Sequence, residues 1–172
     1  MAQALWVLRL PKKAKILVKS GQKVALGAQL ARWGSKIYPA PVRGKVGRVQ
    51  RGRVELYFRA EKMVGRGIGR GHCWGKLAIC RRADFTRLNF SHRGQIVFLP
   101  RVNRLMAIKA RVLGIKGLIT YHCDLGEEAI DSLPILVLTD KVDWSGLKPK
   151  LAEKLLLLDA DQGYLLIPHY GN

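Results

Sequence analysis

Acidic residues are scarce in this chain. Among its 172 residues, 12 Asp and Glu stand against 31 Lys and Arg, so the formal net charge is +19 at pH 7. A folded surface with such an excess of one sign repels itself unless an oppositely charged partner lies close to it. The scarcity of acids therefore predicts an anionic partner.

Cysteines and long apolar runs are also scarce. The chain has three cysteines, Cys73, Cys80 and Cys123, and no C-x-x-C pair. An odd number without a paired motif argues against a disulfide framework and favours a reducing compartment, so we expect a cytoplasmic protein. No run approaches the ~20 apolar residues of a membrane-spanning helix. The apolar patch at the N-terminus precedes its charges, which is the reverse of a secretory signal.

The residue patterns of catalysis and metal binding are absent as well. The sequence contains no G-x-S-x-G elbow and no cysteine in a catalytic setting. Two His-Cys pairs, His72–Cys73 and His122–Cys123, offer zinc-type ligands, but neighbours on a strand point to opposite faces and chelate poorly. We therefore expect a non-enzymatic protein with no cofactor and no metal site.

One connector in the second half is acidic. It lacks the ligand spacing of an EF-hand calcium loop, so we interpret it as a solvated loop. Its acids are Asp124, Glu127, Glu128 and Asp131.

What the sequence does contain is enough apolar material for a core and a strongly uneven charge. Hydrophobic residues make up 48% of the chain. Residues 1–87 carry a net charge of +18, whereas residues 88–172 carry +1. Such asymmetry predicts two domains. We expect a basic β-rich domain over 1–87 and a neutral α/β domain over 88–172.

The sequence of the first domain predicts short strands separated by glycine turns, as in a small barrel or sandwich. The segment ILVKSGQKVALGAQLA, followed by PAPVRGKVGRV, resembles the biotinyl/lipoyl-like domain. The resemblance implies a barrel-sandwich hybrid over about residues 5–60, a fold that hosts many functions. The matching positions are Val18, Gly21, Val24, Gly27, Leu30, Ala31, Ala40, Pro41, Gly44 and Val46.

The lysine that such a domain modifies in carrier proteins has no good counterpart here. Lys36 is the only lysine between Leu30 and Ala40. It lacks the flanking methionines of biotin carriers and the preceding acid of lipoyl carriers. The resemblance therefore implies a fold without the carrier activity.

The second domain alternates strands with helices. Strands are predicted over 95–99, 117–121 and 134–139, and helices over Val102–Leu113 and Pro149–Leu156. Leu105, Ile108 and Val112 form the apolar stripe of the first helix. Together with the β-rich first domain, this pattern predicts the α+β class.

This second half also resembles the swivelling β/β/α domains, including the protease-associated kind. The resemblance concerns packing and turn residues, so it implies a fold and no activity. The matching positions are Gly94, Ile96, Val97, Ala110, Gly114, Lys116, Gly117, Ile119 and Pro134.

The positive charge is concentrated between Pro41 and Arg87. Thirteen Lys and Arg face three acids in this stretch, a net charge of +10. It includes VGRGIGRG, which we interpret as a loop, either a flexible solvated connector or, as we favour, an RNA contact. A dinucleotide fingerprint would need a strand directly before this segment and a helix directly after it, and the sequence predicts neither. Glycines would let the backbone approach phosphates, arginines can bind phosphate in a bidentate manner, and Trp74 or His72 can stack on a base.

These features predict an RNA-binding structural or accessory component of a ribonucleoprotein, such as a ribosomal protein on rRNA beside neighbouring proteins. One alternative is a non-carrier biotinyl/lipoyl-like adaptor in a membrane-associated or multi-enzyme assembly. Another is a DNA-binding accessory factor. The predicted RNA-binding residues are Arg43, Lys45, Arg48, Arg51, Arg53, Arg66, Arg70, His72, Trp74, Lys76, Arg81 and Arg82.

Overall fold

A computed structural model describes residues 2–125, 133–144, 151 and 154–169. The chain divides into two compact units, Met1–Glu61 with Pro168–Asn172, and Lys62–Ile167. The sequence-based division at 87/88 falls inside the second unit. With the observed division both units are basic, at +12 and +7. The charge is nevertheless denser in the first unit, which is the smaller one.

The first unit is built from short strands and the first part of one long strand. The strands are β1 (Ala2–Arg9), β2 (Lys15–Ile16), β3 (Lys23–Val24), β4 (Gln29–Trp33), β5 (Lys36–Pro39), β6 (Gly44–Gln50) and β7 (Arg53–Ile68). Strands β1 and β6 pair antiparallel with β7, and β3 pairs antiparallel with β6. A second sheet has the order β2-β4-β5.

Two glycine turns fix the path of the chain between these short strands. Gly21 and Gly27 have φ values of 84° and 79°, a region that glycine adopts without steric cost. Their N–H groups donate to the carbonyls of Val46 and Ala40, both at 2.8 Å. The predicted glycine turns are therefore confirmed. The apolar residues of the same motif are buried, namely Val18, Val24, Leu30, Ala31, Ala40 and Val46.

The second unit contains the end of β7, eight further strands and one fully described α-helix. These are β8 (His72–Ile79), β9 (Ile96–Phe98), β10 (Arg101–Asn103), α1 (Arg104–Val112), β11 (Gly117–Thr120), β12 (His122–Asp124), β13 (Ile135–Leu138), β14 (Leu155–Asp159) and β15 (Tyr164–Pro168). The strand order β13-β11-β9-β8-β14-β15-β7 is closed into a ring by the pairing of β13 with β7. Strand β10 pairs with β12 outside the ring.

Alternating residues of the ring strands belong to two different apolar clusters. Ile96 and Phe98 belong to one cluster, together with residues of β11, β13, β14 and β15. Val97 belongs to the other, in which Ala107 and Ala110 of α1 pack on the sheet. Burial on both faces explains the continuous apolar run at β9, as the sequence predicts.

The predicted α+β class is wrong, because the protein is β-rich. Strands hold 51% of the described residues and helices 11%. The predicted helix Pro149–Leu156 ends inside β14, since Leu155 and Leu156 are strand residues there. Of that helix, residues 149, 150, 152 and 153 lie outside the described part of the chain. None of the helices within the described ranges has the length and apolar character needed to cross a membrane.

Helix α1 forms where the sequence predicts a helix, but it buries a different face. Met106, Ala107 and Ala110 are buried, whereas Leu105 and Val112 are 67% and 74% exposed. The predicted apolar stripe through Leu105, Ile108 and Val112 therefore does not face the core. Small alanines on the buried side let the helix axis approach the sheet closely, which larger residues would prevent. Gly114 ends the helix at a φ of 73°, as predicted.

Candidate nucleic-acid interface

The predicted RNA-binding residues are exposed, with the single exception of Trp74, which is half-buried. They divide between the two units. The first unit holds Arg43, Lys45, Arg48, Arg51 and Arg53, and the second holds Arg66, Arg70, His72, Trp74, Lys76, Arg81 and Arg82.

In the first unit, strand alternation separates a buried apolar face from a charged one. Val54, Leu56 and Phe58 of β7 are buried, while Arg53 and Arg59 on either side of them are exposed. We call the charged side of this sheet the cationic face. It is defined by Arg9, Lys23, Lys45, Arg53 and Arg59.

The strand register places like charges directly opposite each other on the cationic face. Lys23 of β3 faces Lys45 of β6, and Arg9 of β1 faces Arg53 of β7. Like charges in directly opposite positions destabilise a sheet. The sheet therefore holds an arrangement that an anionic partner would relieve.

Only two acids occur in the sequence of the first unit, Glu55 and Glu61. Glu55 is buried, and its Oε1 accepts a hydrogen bond from Nη2 of Arg53 at 2.8 Å. Its Oε2 accepts the backbone N–H of Arg48 at 3.3 Å, at an irregularity in the pairing of β6 with β7. Glu61 Oε1 lies 3.5 Å from Nε2 of His169. The first carboxylate thus compensates Arg53 and leaves the Lys23–Lys45 pair unchanged.

Arg43, Arg48 and Arg51 lie beside the cationic face and not in its cross-strand rows. Arg43 precedes β6, Arg48 sits at the pairing irregularity, and Arg51 occupies the turn between β6 and β7. Nε of Arg51 donates to the carbonyl of Lys12 at 3.4 Å. The structure therefore groups all five predicted residues of the first unit around one sheet.

The predicted glycine-arginine loop is mostly strand. Residues up to Ile68 belong to β7, where Gly65 to Ile68 pair with β13, and β8 begins at His72. A Cβ at Gly65 would overlap the carbonyl oxygen of Val137, and one at Gly67 would overlap that of Ala160. These glycines therefore serve close packing inside the ring, and the loop interpretation is corrected. Arg66 is exposed on β7, opposite Val137.

At the turn between β7 and β8, two carboxylates accompany the predicted cations. The N–H of Gly71 donates to Oδ1 of Asp161 at 2.9 Å, and Asp159 pairs with His72 across β8 and β14. Arg70 lies in this turn. The turn therefore has a weaker positive field than the Lys23–Lys45 pair of the first unit.

Along β8, His72, Trp74 and Lys76 alternate with inward residues. The neighbouring Cys73 contributes to the apolar cluster inside the ring, and burial raises the pKa of its thiol to about 12. Such a thiol stays protonated at neutral pH. His72 is exposed while Cys73 packs in the apolar cluster, so the two side chains lie on opposite faces of β8.

The structure holds no candidate metal centre within the ranges it describes. No group of three His, Cys, Asp or Glu side chains is close enough there to share an ion. Asp124 is exposed at the end of β12, while Glu127, Glu128 and Asp131 of the predicted acidic loop lie outside the described residues.

Three cations of the cationic face were not among the predicted residues, namely Arg9, Lys23 and Arg59. Arg9 and Lys23 lie outside the dense stretch Pro41–Arg87, and Arg59 lies inside it. Only the register of β1, β3 and β6 around β7 brings them together. The alternation along 53–59 is the one sequence signal that indicated an exposed face there.

Comparison with known proteins assigns no family. No family model and no curated protein sequence matches the chain. It is similar to the solution NMR structure of a UPF0107 protein, with 17% identity, 63% of this chain and 100% of that chain covered, and a TM-score of 0.44. It is also similar to the crystal structure of Thermococcus kodakaraensis aconitase X in its holo form, with 20% identity, 63% and 99% coverage, and a TM-score of 0.40.

Proposed function

We propose that this protein binds RNA as a structural or accessory component of a ribonucleoprotein such as the ribosome. The cationic face of the first unit is its main phosphate-binding surface. Arg66, Lys76, Arg81 and Arg82 of the second unit add further phosphate contacts. Neighbouring proteins of the particle are its other partners.

One observation carries this proposal, namely the exposed like-charge pair Lys23–Lys45. Directly opposite lysines cost free energy in the isolated protein. A polyanion converts the same repulsion into binding, because phosphates neutralise both ammonium groups and release their own counterions. Neither acid of the first unit is hydrogen-bonded to this pair among the described contacts.

RNA is favoured over duplex DNA by the shape of the surface. The positive charge lies on a sheet and on short turns, and α1 is the one α-helix described over its full length. Duplex DNA is commonly read by a helix inserted into the major groove. Sheets and turns suit the irregular backbones and unpaired bases of folded RNA.

The test is the salt dependence of RNA binding. Fluorescence anisotropy with a structured rRNA fragment should give a linear fall of log affinity with log salt, and each phosphate contact contributes about 0.7–0.9 to the slope. The double substitution Lys23→Gln with Lys45→Gln should reduce the slope by about 1.5. Arg66→Gln with Arg70→Gln should reduce it less, because Asp159 and Asp161 lie beside that turn.

The matched control is Lys36→Gln with Lys141→Gln, which removes the same charge from exposed positions that do not belong to the cationic face. The control should leave the slope within about 0.5 of the wild-type value. A flat salt dependence of the wild-type protein would contradict the proposal. If Lys23→Gln with Lys45→Gln reduces the slope no more than the control Lys36→Gln with Lys141→Gln does, the assignment of the cationic face is contradicted. Duplex DNA at the same salt serves as the competitor that tests the DNA-binding alternative.

A second candidate function is a non-carrier adaptor in a membrane-associated or multi-enzyme assembly. The observation in its favour is the β4–β5 hairpin, whose tip exposes Trp33 at 50% and Ile37 at 46%. Lys36 stands between them, with Nζ 5.1 Å from the centre of the Tyr38 ring. Analysis of the molecules that co-purify with the native protein distinguishes the candidates. Bound RNA would support RNA binding, whereas an acidic protein or anionic lipid without RNA would support the adaptor, and a modified Lys36 would instead indicate the carrier version of the fold.

A further inference from the structure

Two phenylalanine side chains stand exposed in the segment between β8 and β9, in the second unit. Phe90 is 75% exposed and Phe85 is 46% exposed. Neither belongs to the predicted RNA-binding residues. Large apolar rings exposed to this degree in one short segment mark an interaction surface.

Each ring opens a capped turn of 3-10 helix. The first turn is Phe85–Arg87, and Oδ1 of the preceding Asp84 accepts the N–H of Thr86 at 2.8 Å. The second turn is Phe90–His92, which is preceded by Asn89. Both turns therefore follow the same order of a capping side chain, a phenylalanine, a hydroxyl residue and a basic residue.

The second turn repeats the hydrogen bonding of the first. Oδ1 of Asn89 accepts the N–H of Ser91 at 3.0 Å, and the N–H of Asn89 donates to Nδ1 of His92 at 3.4 Å. Leu88, between the two turns, is 1% exposed and packs in the cluster that contains α1. The segment is thus fixed to the unit at Leu88, while its two rings remain exposed.

A lysine contacts the Phe85 ring, and arginines lie near both phenylalanines in the sequence. Nζ of Lys109 in α1 lies 4.1 Å from the centre of the Phe85 ring and donates to the Phe85 carbonyl at 2.8 Å. Asp84 is the one acid in residues 81–93 of the sequence, and its carboxylate is engaged as the cap of the first turn. The exposed arginines of this segment are Arg81, Arg82, Arg87 and Arg93.

We propose that Phe85 and Phe90 form a base-stacking site for single-stranded RNA, with the arginines of the same segment on its phosphates. This inference rests on the proposed function and deepens it, because it names unpaired bases as the ligand. Every base has a π face that an exposed aromatic ring can cover. Phe85 and Phe90 are five residues apart, so their Cα atoms lie within about 18 Å of each other and the rings reach bases a few nucleotides apart.

The positive charge selects this occupant over an apolar protein surface. A nucleic acid strand supplies bases for the rings and phosphates for arginines such as Arg82 and Arg93 together, whereas an apolar protein partner supplies only a surface for the rings. The two rings are followed two residues later by Arg87 and His92, so each stacking position has a basic side chain on the same turn.

The experiment compares a fluorescent oligouridylate of about 12 nucleotides with an RNA duplex of the same length, using the full chain at about 0.1 M salt. Phe85→Ala with Phe90→Ala should weaken binding of the single strand by at least about fivefold per ring. Duplex affinity and the salt slope should stay unchanged, because no phosphate contact is removed. Phe90→Trp should retain single-strand affinity, whereas Phe90→Leu should not.

The matched control is Leu105→Ala with Val112→Ala, which removes similarly exposed apolar side chains from α1. It should leave single-strand affinity unchanged. If RNA binds with the expected salt slope but the phenylalanine variants equal wild type, the stacking site is overturned and the proposed function stands. If no RNA binds, both fail together. Equal loss on single strand and duplex, or loss of binding to phosphatidylglycerol vesicles in place of RNA, also overturns the stacking site.

Discussion

Glu55 shows how one side chain shapes the charge of the cationic face. It is a buried acid on an otherwise cationic side of the sheet, and it accepts hydrogen bonds from Arg53 and from the backbone of Arg48. Hydrogen bonds to charged groups are stronger than neutral ones, by roughly a factor of two. Glu55 therefore holds β6 and β7 together at their irregularity, while the remaining lysines stay available to a partner.

Cys73 gives a prediction for alkaline pH. Burial raises the pKa of its thiol from 9.0 to about 12. Between these values the unfolded chain loses the proton and the folded chain keeps it, so the free energy of unfolding falls as pH rises. The contribution of Cys73 to this fall should reach at most about 1.4 kcal/mol per pH unit. Urea unfolding between about pH 8 and pH 10.5 measures it.

The control for Cys73 is Cys73→Ala, in which the free energy of unfolding should fall less steeply over that pH range. Cys80 and Cys123 remain in both proteins, and burial raises the pKa of each of them too. The comparison of the two pH slopes therefore isolates Cys73. Identical slopes in the two proteins would show that this thiol is not buried in the folded state.

At the scale of single residues, exposure was predictable from the sequence and partners were not. The alternation of charged and apolar residues over 53–59 predicts one wetted face, and Arg53 and Arg59 are exposed as predicted, whereas Glu55 of the same face is buried. The opposition of Lys23 to Lys45 depends on the pairing of β3 with β6, which are separated by about twenty residues and two other strands. No local pattern in the sequence carries that register.

Helix α1 illustrates what periodicity predicts at the scale of an element. The 3.6-residue pattern correctly indicated a helix, but two apolar stripes were present, one of large residues and one containing Ala107 and Ala110. The sheet accepts the small stripe, because the alanines allow close approach. Periodicity alone does not distinguish the two stripes, since both satisfy the same spacing.

The face that α1 buries gives a prediction about stability. Ala110→Leu should overpack the contact with the sheet and lower the free energy of unfolding by about 1–3 kcal/mol. Val112→Ala removes a side chain that is 74% exposed, so its effect should stay within about 0.5 kcal/mol. Urea denaturation of both variants measures the difference. A larger loss for Val112→Ala than for Ala110→Leu would mean that the helix packs through its large residues after all.

The glycine-arginine segment was misread for a related reason. Four glycines within Gly65–Gly71 look like a flexible loop, because glycine is the residue of turns. In the ring, Gly65 and Gly67 are instead strand residues that contact the carbonyl oxygens of Val137 and Ala160. Glycine inside a strand often indicates that another backbone segment approaches closely. The sequence alone does not distinguish such a strand from a glycine-rich loop, because the partner segment is not known.

For the whole molecule, the fold class was predicted wrongly, while the anionic partner that the composition indicates stays a prediction. The β-rich class follows from ring closure, in which β14 replaces part of a predicted helix and long-range pairing joins β7 to β13. These pairings connect segments about seventy residues apart, beyond the reach of local patterns. Charge counts are additive along the chain, so the net charge needs no knowledge of the fold.

The net charge leads to opposite effects of salt on stability and on binding. At low ionic strength the formal charge of +19 repels itself, and salt screens this repulsion over a Debye length of about 10 Å at 0.1 M. Raising NaCl from about 0.02 to 0.3 M should therefore increase the Tm of the free protein by a few degrees. Over the same range RNA affinity should fall, so the stabilisation that added RNA provides at low salt should disappear.

Lys23→Gln with Lys45→Gln should reduce both the rise of Tm and the fall of RNA affinity with NaCl, because the same pair repels in the free protein and binds phosphate in the complex. A Tm that falls with NaCl, measured by thermal unfolding without RNA, would show that attraction between charges within the chain outweighs this repulsion.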